Sequence, residues 1–587
     1  MLERQLTSDP ILERYRQELA RRLVGRQMAT KELTGGFAHL LADPFQPIED
    51  RAALQDEVDV AIVGGGLAGL LVAVRLREAG VERIRVIDRA GSFGGTWYWN
   101  RYPGAMCDIE SYIYLPLLEE MGYVPKHKYS YAPEIYEYLQ SVADRYDLRD
   151  DALFHTGVEQ ARWVDGTQSW VITTDRGDEF ESQFLCLAVG FLTQPKIPDI
   201  DGLESFRGHC FHTSRWDYAY TGGDASHELT GLGDNVVGII GTAASAVQCI
   251  PWLARSAKQL YVFQRTPSTV SERDNRLTDS AWAASLKPGW QRERMINFTT
   301  HCAGLPDPGA DLVNDGWTNV VRRAILYPDE NIEVMERIRK RVEATVADAR
   351  TAEFLKPYYA YLCTRPCFHD EYLETFNRPN VEVIECPLGI DRMAQDGPVI
   401  DGTTYPVDCL IFATGFQGPE WKIESLTGIV GRGGVSLTTK WADGIQSLHG
   451  LMTHGFPNLL IQPGPLEQST GTFNHTHVMV ENAGHLAYIV AEMRRRGHRC
   501  FDVSVAAEAD WVRQIVGSPP EPYGKDGQIS CTPSRLNYVG RETGPNPRNG
   551  IYGGIGGPLD YFAILADWRT EGNLAGLEFD PVLSAAQ

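Results

Sequence analysis

Hydrophobic positions along this chain alternate between two periods. Near the N-terminus Ile11, Leu12, Tyr15, Leu19 and Leu23 fall at helical spacing among arginine and glutamate. That spacing predicts an amphipathic helix within 11–31, packed against the body. From Val58 the chain reads as an apolar strand to Val63, a glycine turn over Gly64–Gly69, an apolar helix Leu70–Ala79 and a second strand Ile84–Asp88. The succession recurs at Val236–Ile240, Gly241–Ala246 and Leu260–Gln264. Repeated strand–helix–strand units predict parallel sheets covered by helices, an α/β fold with two Rossmann-like dinucleotide-binding domains.

Between and beyond these units the pattern changes. Residues 275–350 read as a helical insertion, in which Ile332, Met335, Ile338, Val342 and Val346 form one apolar stripe. Asp408–Phe416 reads as a further buried strand ending in a tight turn. Glycine and proline crowd Gly550–Pro558, which predicts irregular loops, followed by a last helix near Tyr561–Trp568.

Composition narrows the partners. A chain of 587 residues is too long for one core, and its 43% hydrophobic and 22% charged residues are those of a globular protein. The net charge of −22 argues against nucleic acid or an anionic membrane, which require a basic face. No apolar run approaches the ~18 residues of a membrane helix. The first ten residues carry no signal-peptide pattern, so a cytoplasmic location is expected. Eleven scattered cysteines, of which Cys363 and Cys367 lie closest, complete no zinc set; no metal and reduced thiols are expected.

The two glycine turns carry chemistry. Gly64, Gly66 and Gly69 follow a strand and open a helix, where they permit a tight turn, close approach of a pyrophosphate and close helix packing. Asp88 ends the next strand, where a carboxylate accepts hydrogen bonds from a ribose. At the second turn Gly241, Thr242 and Ser245 stand in the same frame, but Ala243 replaces the middle glycine and its methyl is expected to crowd a pyrophosphate. Arg265 and Thr266 end the following strand where an acid would otherwise sit; arginine there suits a 2′-phosphate.

Three further strings carry a family resemblance. Phe206, Gly208, His212, Thr213, Trp216 and Asp217 fit F-x-G-x-x-x-H-T-x-x-W-(P/D), and they lie between the two nucleotide turns. Gly94–Asp108 fits (A/G)-G-x-W-x-x-x-x-(F/Y)-P-(G/M)-x-x-x-D, through Gly95, Trp97, Tyr102 and Asp108. Tyr361–Asn380 is similar to a segment holding an active-site arginine, Arg365 here. Together they identify the chain as resembling the type I Baeyer–Villiger monooxygenases. The similarity is strongest to the subgroup with an N-terminal extension that contains cyclopentadecanone monooxygenases and pentalenolactone D synthases. Glu110–Glu119, Thr213–Tyr218 and Leu286–Glu293 support that placement.

The resemblance implies FAD on the first turn, with Gly95, Thr96, Trp97, Tyr102 and Asp108 around it, and NADPH on the second. It implies O2 and a ketone as substrates, a C4a-peroxide on the flavin, and a lactone or ester as product. Arg365, held by Asp108, stabilises the negative charge of that reaction; His212 and Trp216 position the linker and nicotinamide. The implied organisation is an N-terminal extension over 1–55, an FAD domain over 56–195 and 385–587, and an NADP domain over 196–384 carrying the 275–350 insertion. Thr364 stands where the family places a lysine that helps bind NADPH. The segment Gln462–His477 is expected to line the ketone, and its histidines and hydroxyls suggest an oxygenated, polycyclic natural-product ketone. Two readings stay beside this one: a flavin monooxygenase that oxidises nitrogen or sulfur, and a degenerate flavoprotein without catalysis. The oligomeric state is left open.

Overall fold

Strand Gln55–Val63 is buried over its second half, and a short helix, Leu67–Glu78, packs back over it from the glycine turn. It forms the middle of an eight-stranded sheet. In order across the sheet stand Ile429–Val430, Val158–Val164, Ser169–Thr174, Glu179–Leu187, Gln55–Val63, Ile84–Ile87 and Ala152–Leu153, with Leu459–Ile461 also pairing Glu179–Leu187. The central pairs are parallel, with Val60 opposite Ile84 and Val63 opposite Leu187. The computed structural model describes residues 10–23, 29–190, 192, 194–303, 309–321, 328–417, 428–464, 468–470, 472–516, 531–534 and 556–580.

A second sheet has five parallel strands in the order Val381–Glu385, Gln259–Gln264, Val236–Ile240, Cys409–Phe412 and His209–His212. Helix Ala244–Ser256 covers it and begins at the second nucleotide turn. Cys409–Phe412 therefore joins the second sheet, which runs past the boundary expected at residue 384. A fully buried parallel strand carries no mark of which sheet receives it, and the small three-stranded sheet Arg392–Thr404 carries the chain from Glu385 back to it.

Both terminal helices form, with one correction. Pro10–Leu23 is helical, but by Thr30 the chain is extended and bridges Pro198, so the helix does not reach residue 31. The last helix, Pro558–Glu571, buries Tyr561, Phe562, Leu565 and Trp568. Of the loops expected over Gly550–Pro558, residues 550–555 lie outside the described residues. In the insertion, helices Trp290–Ala303 and Pro328–Thr345 bury Met335, Ile338 and Val342 as the stripe predicts.

One cysteine expectation is overturned. Cys363 and Cys531 are joined by a disulfide across 168 residues of sequence, while nine other cysteines are free. Their partnership is set by the return of the C-terminal region over residue 363, which no cysteine spacing encodes. Among the described residues no helix is long and apolar enough to cross a membrane.

Candidate active site

The first glycine turn is built against backbone. Gly64 has φ of +113°, and a Cβ there would stand 2.5 Å from the Ala188 carbonyl oxygen, so no side chain fits. A Cβ on Gly95, at φ +53°, would come within 2.6 Å of Gly66 Cα. The two motifs thus meet glycine to glycine, which presses the 94–108 segment onto the first turn. Asp88 reaches the same turn: its carboxylate accepts the Gly65 N–H at 2.6 Å and the Ala90 N–H at 2.8 Å. Each carboxylate oxygen can accept a second bond, so ribose hydroxyls remain compatible with both. Burial raises the Asp88 pKa against these bonds.

The rest of that segment faces inward. Thr96 opens the helical turn Thr96–Trp99, and the Trp97 indole donates to the Tyr114 hydroxyl at 2.8 Å. Tyr102 donates to Gln248 Oε1 at 2.8 Å, and Gln248 Nε2 donates to the Met106 carbonyl at 3.0 Å. Gln248 lies on helix Ala244–Ser256, so these bonds fasten the first motif to the second sheet's helix. The cradle of glycine, backbone N–H and buried carboxylate fits a dinucleotide.

At the second turn Gly241 has φ of +112°, and Ser245 stands in the first turn of the helix. Ala243 is the cap residue, with φ −85° and ψ −170°. Gly66 caps its own helix with φ −76° and ψ −172°. Both are extended conformations open to any residue, so the alanine costs the turn nothing. Thr242 donates to the Thr266 carbonyl at 2.8 Å, tying turn to strand end. Arg265 is exposed beside it.

Asp108 and Arg365 meet although 257 residues separate them: Arg365 Nε donates to Asp108 Oδ2 at 3.1 Å, and Nη2 to the same oxygen. Their side chains are 25% and 36% exposed, which leaves the pair open on one side. Burial alone would raise the Asp108 carboxyl, but the charges of Arg365 and Arg273 hold it below the ordinary value. Burial likewise opposes the Arg365 charge and Asp108 more than restores it. The two groups form a partly exposed ion pair.

The linker is sealed. His212 is wholly buried, and its Nδ1 accepts the Ser214 N–H at 3.1 Å. Burial, then Arg215, pushes its pKa down to about 3, so it stays neutral and is no proton donor at physiological pH. Trp216 is 1% exposed, with its indole N–H bonded to Thr221 Oγ1 at 3.1 Å. It is a packed residue of the linker and presents no wall to a cofactor.

Known proteins carry the same plan. The pyridine nucleotide-disulphide oxidoreductase family profile matches residues 61–297. The chain is 45% identical to the pentalenolactone D synthase of Streptomyces arenae, over 97% of this chain and 99% of that one. It is 43% identical to a Baeyer–Villiger monooxygenase of Stachybotrys chlorohalonatus, over 93% and 90% of the two chains. The chain belongs to the Baeyer–Villiger monooxygenases. Among solved structures, a polycyclic ketone monooxygenase from the fungus Thermothelomyces thermophila superposes with a TM-score of 0.87 at 34% identity, covering 97% and 98%. A steroid monooxygenase bound to NADP superposes at 0.74 with 31% identity, covering 89% and 99%.

In this Baeyer–Villiger monooxygenase, residues that no motif marks pack against those that the motifs do. Trp317, 1% exposed, lies under the Arg365–Asp108 pair: Arg365 Cζ is 5.1 Å from its ring centroid, and its indole donates to the Asp108 carbonyl at 3.0 Å. Phe473 stacks on the same indole at 4.9 Å. Arg215, in a variable position of the linker string, places its guanidinium 3.6 Å from the Trp99 ring centroid and so ties the linker to the 94–108 segment. Tryptophan in a helical insertion and arginine at an unspecified position carried no signal beyond residue type.

The segment Gln462–His477, expected to line the ketone, also reads differently. Thr476 and His477 are buried, and His477 Nδ1 shares a hydrogen bond with Thr299 Oγ1 at 2.9 Å. His477 thereby serves the join with helix Trp290–Ala303. Residues 465–467 and 471 of the segment lie outside the described residues.

Proposed function

We propose that the chain carries FAD on the first sheet and NADPH on the second, and uses O2 to convert a cyclic or polycyclic ketone to a lactone or ester. The Arg365–Asp108 ion pair carries the reading. Flavin, when bound, supplies the oxygen-activating chemistry. A ketone that gains a bond at its carbonyl carbon places negative charge on its oxygen. Arg365 meets that charge with a guanidinium that cannot surrender its proton, and Asp108 fixes its direction. Gly64, Gly66, Gly69, Asp88, Gly95, Thr96, Trp97 and Tyr102 form the flavin side. Gly241, Thr242, Ser245, Arg265 and Thr266 form the nicotinamide side, and neutral His212 holds the linker between the two sheets.

Polycyclic ketones are the substrate class we favour, because relatives over nearly the whole chain are named for pentalenolactone and for ketocytochalasin, and a structural neighbour for polycyclic ketones. We place the second domain over residues 196 to about 417, following its sheet, and the protein in the cytoplasm, where reduced nicotinamide is supplied. Paired assays with a polycyclic ketone and a thioether test the reaction. Ester or lactone as the main product supports it; sulfoxide as the only product would move the chain to sulfur oxidation.

A further inference from the structure

The N-terminal helix Pro10–Leu23 ends in two arginines with different fates. Arg21 is satisfied: Nη1 and Nη2 donate to the two carboxylate oxygens of Glu385 at 2.9 and 3.1 Å. Arg22 is not. Its side chain is only 7% exposed, and among the described residues its one bonded partner is Glu18, at 3.1 Å from Nη2. Glu18 is shared, since Arg14 Nη2 lies 3.1 Å from its other oxygen. Arg22 Nε and Nη1 are buried without a hydrogen-bond partner among the described residues. A guanidinium buried half-bonded is costly, and its unused donors call for an anion.

Its position says which anion. Glu385, which anchors Arg21, lies opposite Gln264 in the parallel pairing of Val381–Glu385 with Gln259–Gln264. The Cys386 N–H donates to the Gln264 carbonyl at 2.8 Å. On the other side Tyr359 donates to the Pro267 carbonyl at 2.6 Å and bonds the Thr364 hydroxyl at 3.0 Å. Arg22 and Tyr359 are close enough that each shifts the other's titration. The helix end is thus anchored at Glu385, opposite Gln264, and lies near Tyr359, which bonds Pro267; Arg265 and Thr266 fall between Gln264 and Pro267 in sequence.

We propose that Arg22, delivered by the N-terminal helix, is a ligand of the NADPH 2′-phosphate together with Arg265 and Thr266. The inference rests on the reading of the second turn as a nicotinamide site. A phosphomonoester takes up Nε and Nη1 as a paired fork, which is the geometry guanidinium offers best. Burial now pulls the Arg22 pKa down, so the bound phosphate removes a standing cost. The helix thereby acts as a specificity element for the phosphorylated dinucleotide.

The test uses FAD-loaded enzyme, wild type against Arg22→Met and Arg22→Lys. Binding of 2′,5′-ADP and of 5′-AMP is measured, together with flavin reduction by NADPH and by NADH. Arg22→Met is expected to weaken 2′,5′-ADP and NADPH roughly tenfold, leave 5′-AMP and NADH unchanged, and keep the limiting rate of flavin reduction. Arg22→Lys should recover part of the loss. Equal weakening of all four ligands would mean that Arg22 only docks the helix, and unchanged binding would mean that it meets no phosphate; either overturns the proposal. A wild type that binds 5′-AMP as well as 2′,5′-ADP would instead refute the NADPH reading itself.

Discussion

The guanidinium of Arg365 lies over the indole of Trp317, its Cζ 5.1 Å from the ring centroid. The same indole donates its N–H to the Asp108 carbonyl, so one side chain braces both members of the ion pair. Cation–π attraction of about 0.5–2 kcal/mol and a hydrogen bond of about 1 kcal/mol are at stake. Trp317→Phe keeps the first and loses the second. It should lower ester formation by roughly threefold to tenfold, and Trp317→Ala by more, with flavin reduction by NADPH unchanged in both. Parallel loss of both half-reactions would mean that Trp317 supports the fold and not the pair.

Arg365→Ala separates binding from chemistry. Flavin reduction by NADPH should survive, because the nucleotide turns do not depend on this side chain. Ester formation should fall by about 10²–10³ or more, the usual cost of losing a donor to a developing oxyanion. Product quantified against NADPH consumed is the check; normal yield would remove Arg365 from the reaction.

Acid should destabilise the protein below the ordinary histidine pKa. Burial holds His212, His449 and His477 down at about 3 and His369 at about 4. Unfolding frees them to bind protons near pH 6.5. Between those limits the unfolded chain binds more protons, so stability rises with pH and is lost as pH falls from about 6.5 toward 4. The Asp108 carboxyl acts only lower down. Its depressed pKa gives stability that is present above the unfolded value of about 3.9 and lost as pH falls through the folded one. Thermal melting from pH 7.5 to 5 should show a falling Tm; a flat Tm across that span would contradict the buried neutral histidines.

Much of this site was legible where the constraint is local. Gly64, Gly66 and Gly241 follow from turns that the backbone must make, whereas Arg365 and Asp108 were picked out by resemblance to family segments, and the structure brings the two into contact. What escaped depends on partners far along the chain. Trp317 takes its meaning from Asp108, 209 residues before it, and Arg21 from Glu385, 364 residues after. The strand Cys409–Phe412 read plainly as buried, yet its sheet is chosen by pairing with Val236–Ile240, which hydrophobicity does not specify. Ala243 was expected to crowd a pyrophosphate; its extended backbone shows that alanine fits the turn itself.

The disulfide has a simple chemical signature. Denatured, unreduced protein should titrate nine thiols, with Cys363 and Cys531 recovered in one cross-linked peptide. Eleven thiols would show that the two cysteines stay reduced.

The central claim is that oxygen enters a ketone beside Arg365. FAD-loaded enzyme given NADPH, a polycyclic ketone and isotopically labelled O2 tests it most directly, with the product read by mass spectrometry. A lactone or ester carrying one labelled oxygen atom should be formed by wild type and be absent with Arg365→Ala. Unlabelled product, or NADPH consumed with the ketone returned intact, would contradict it.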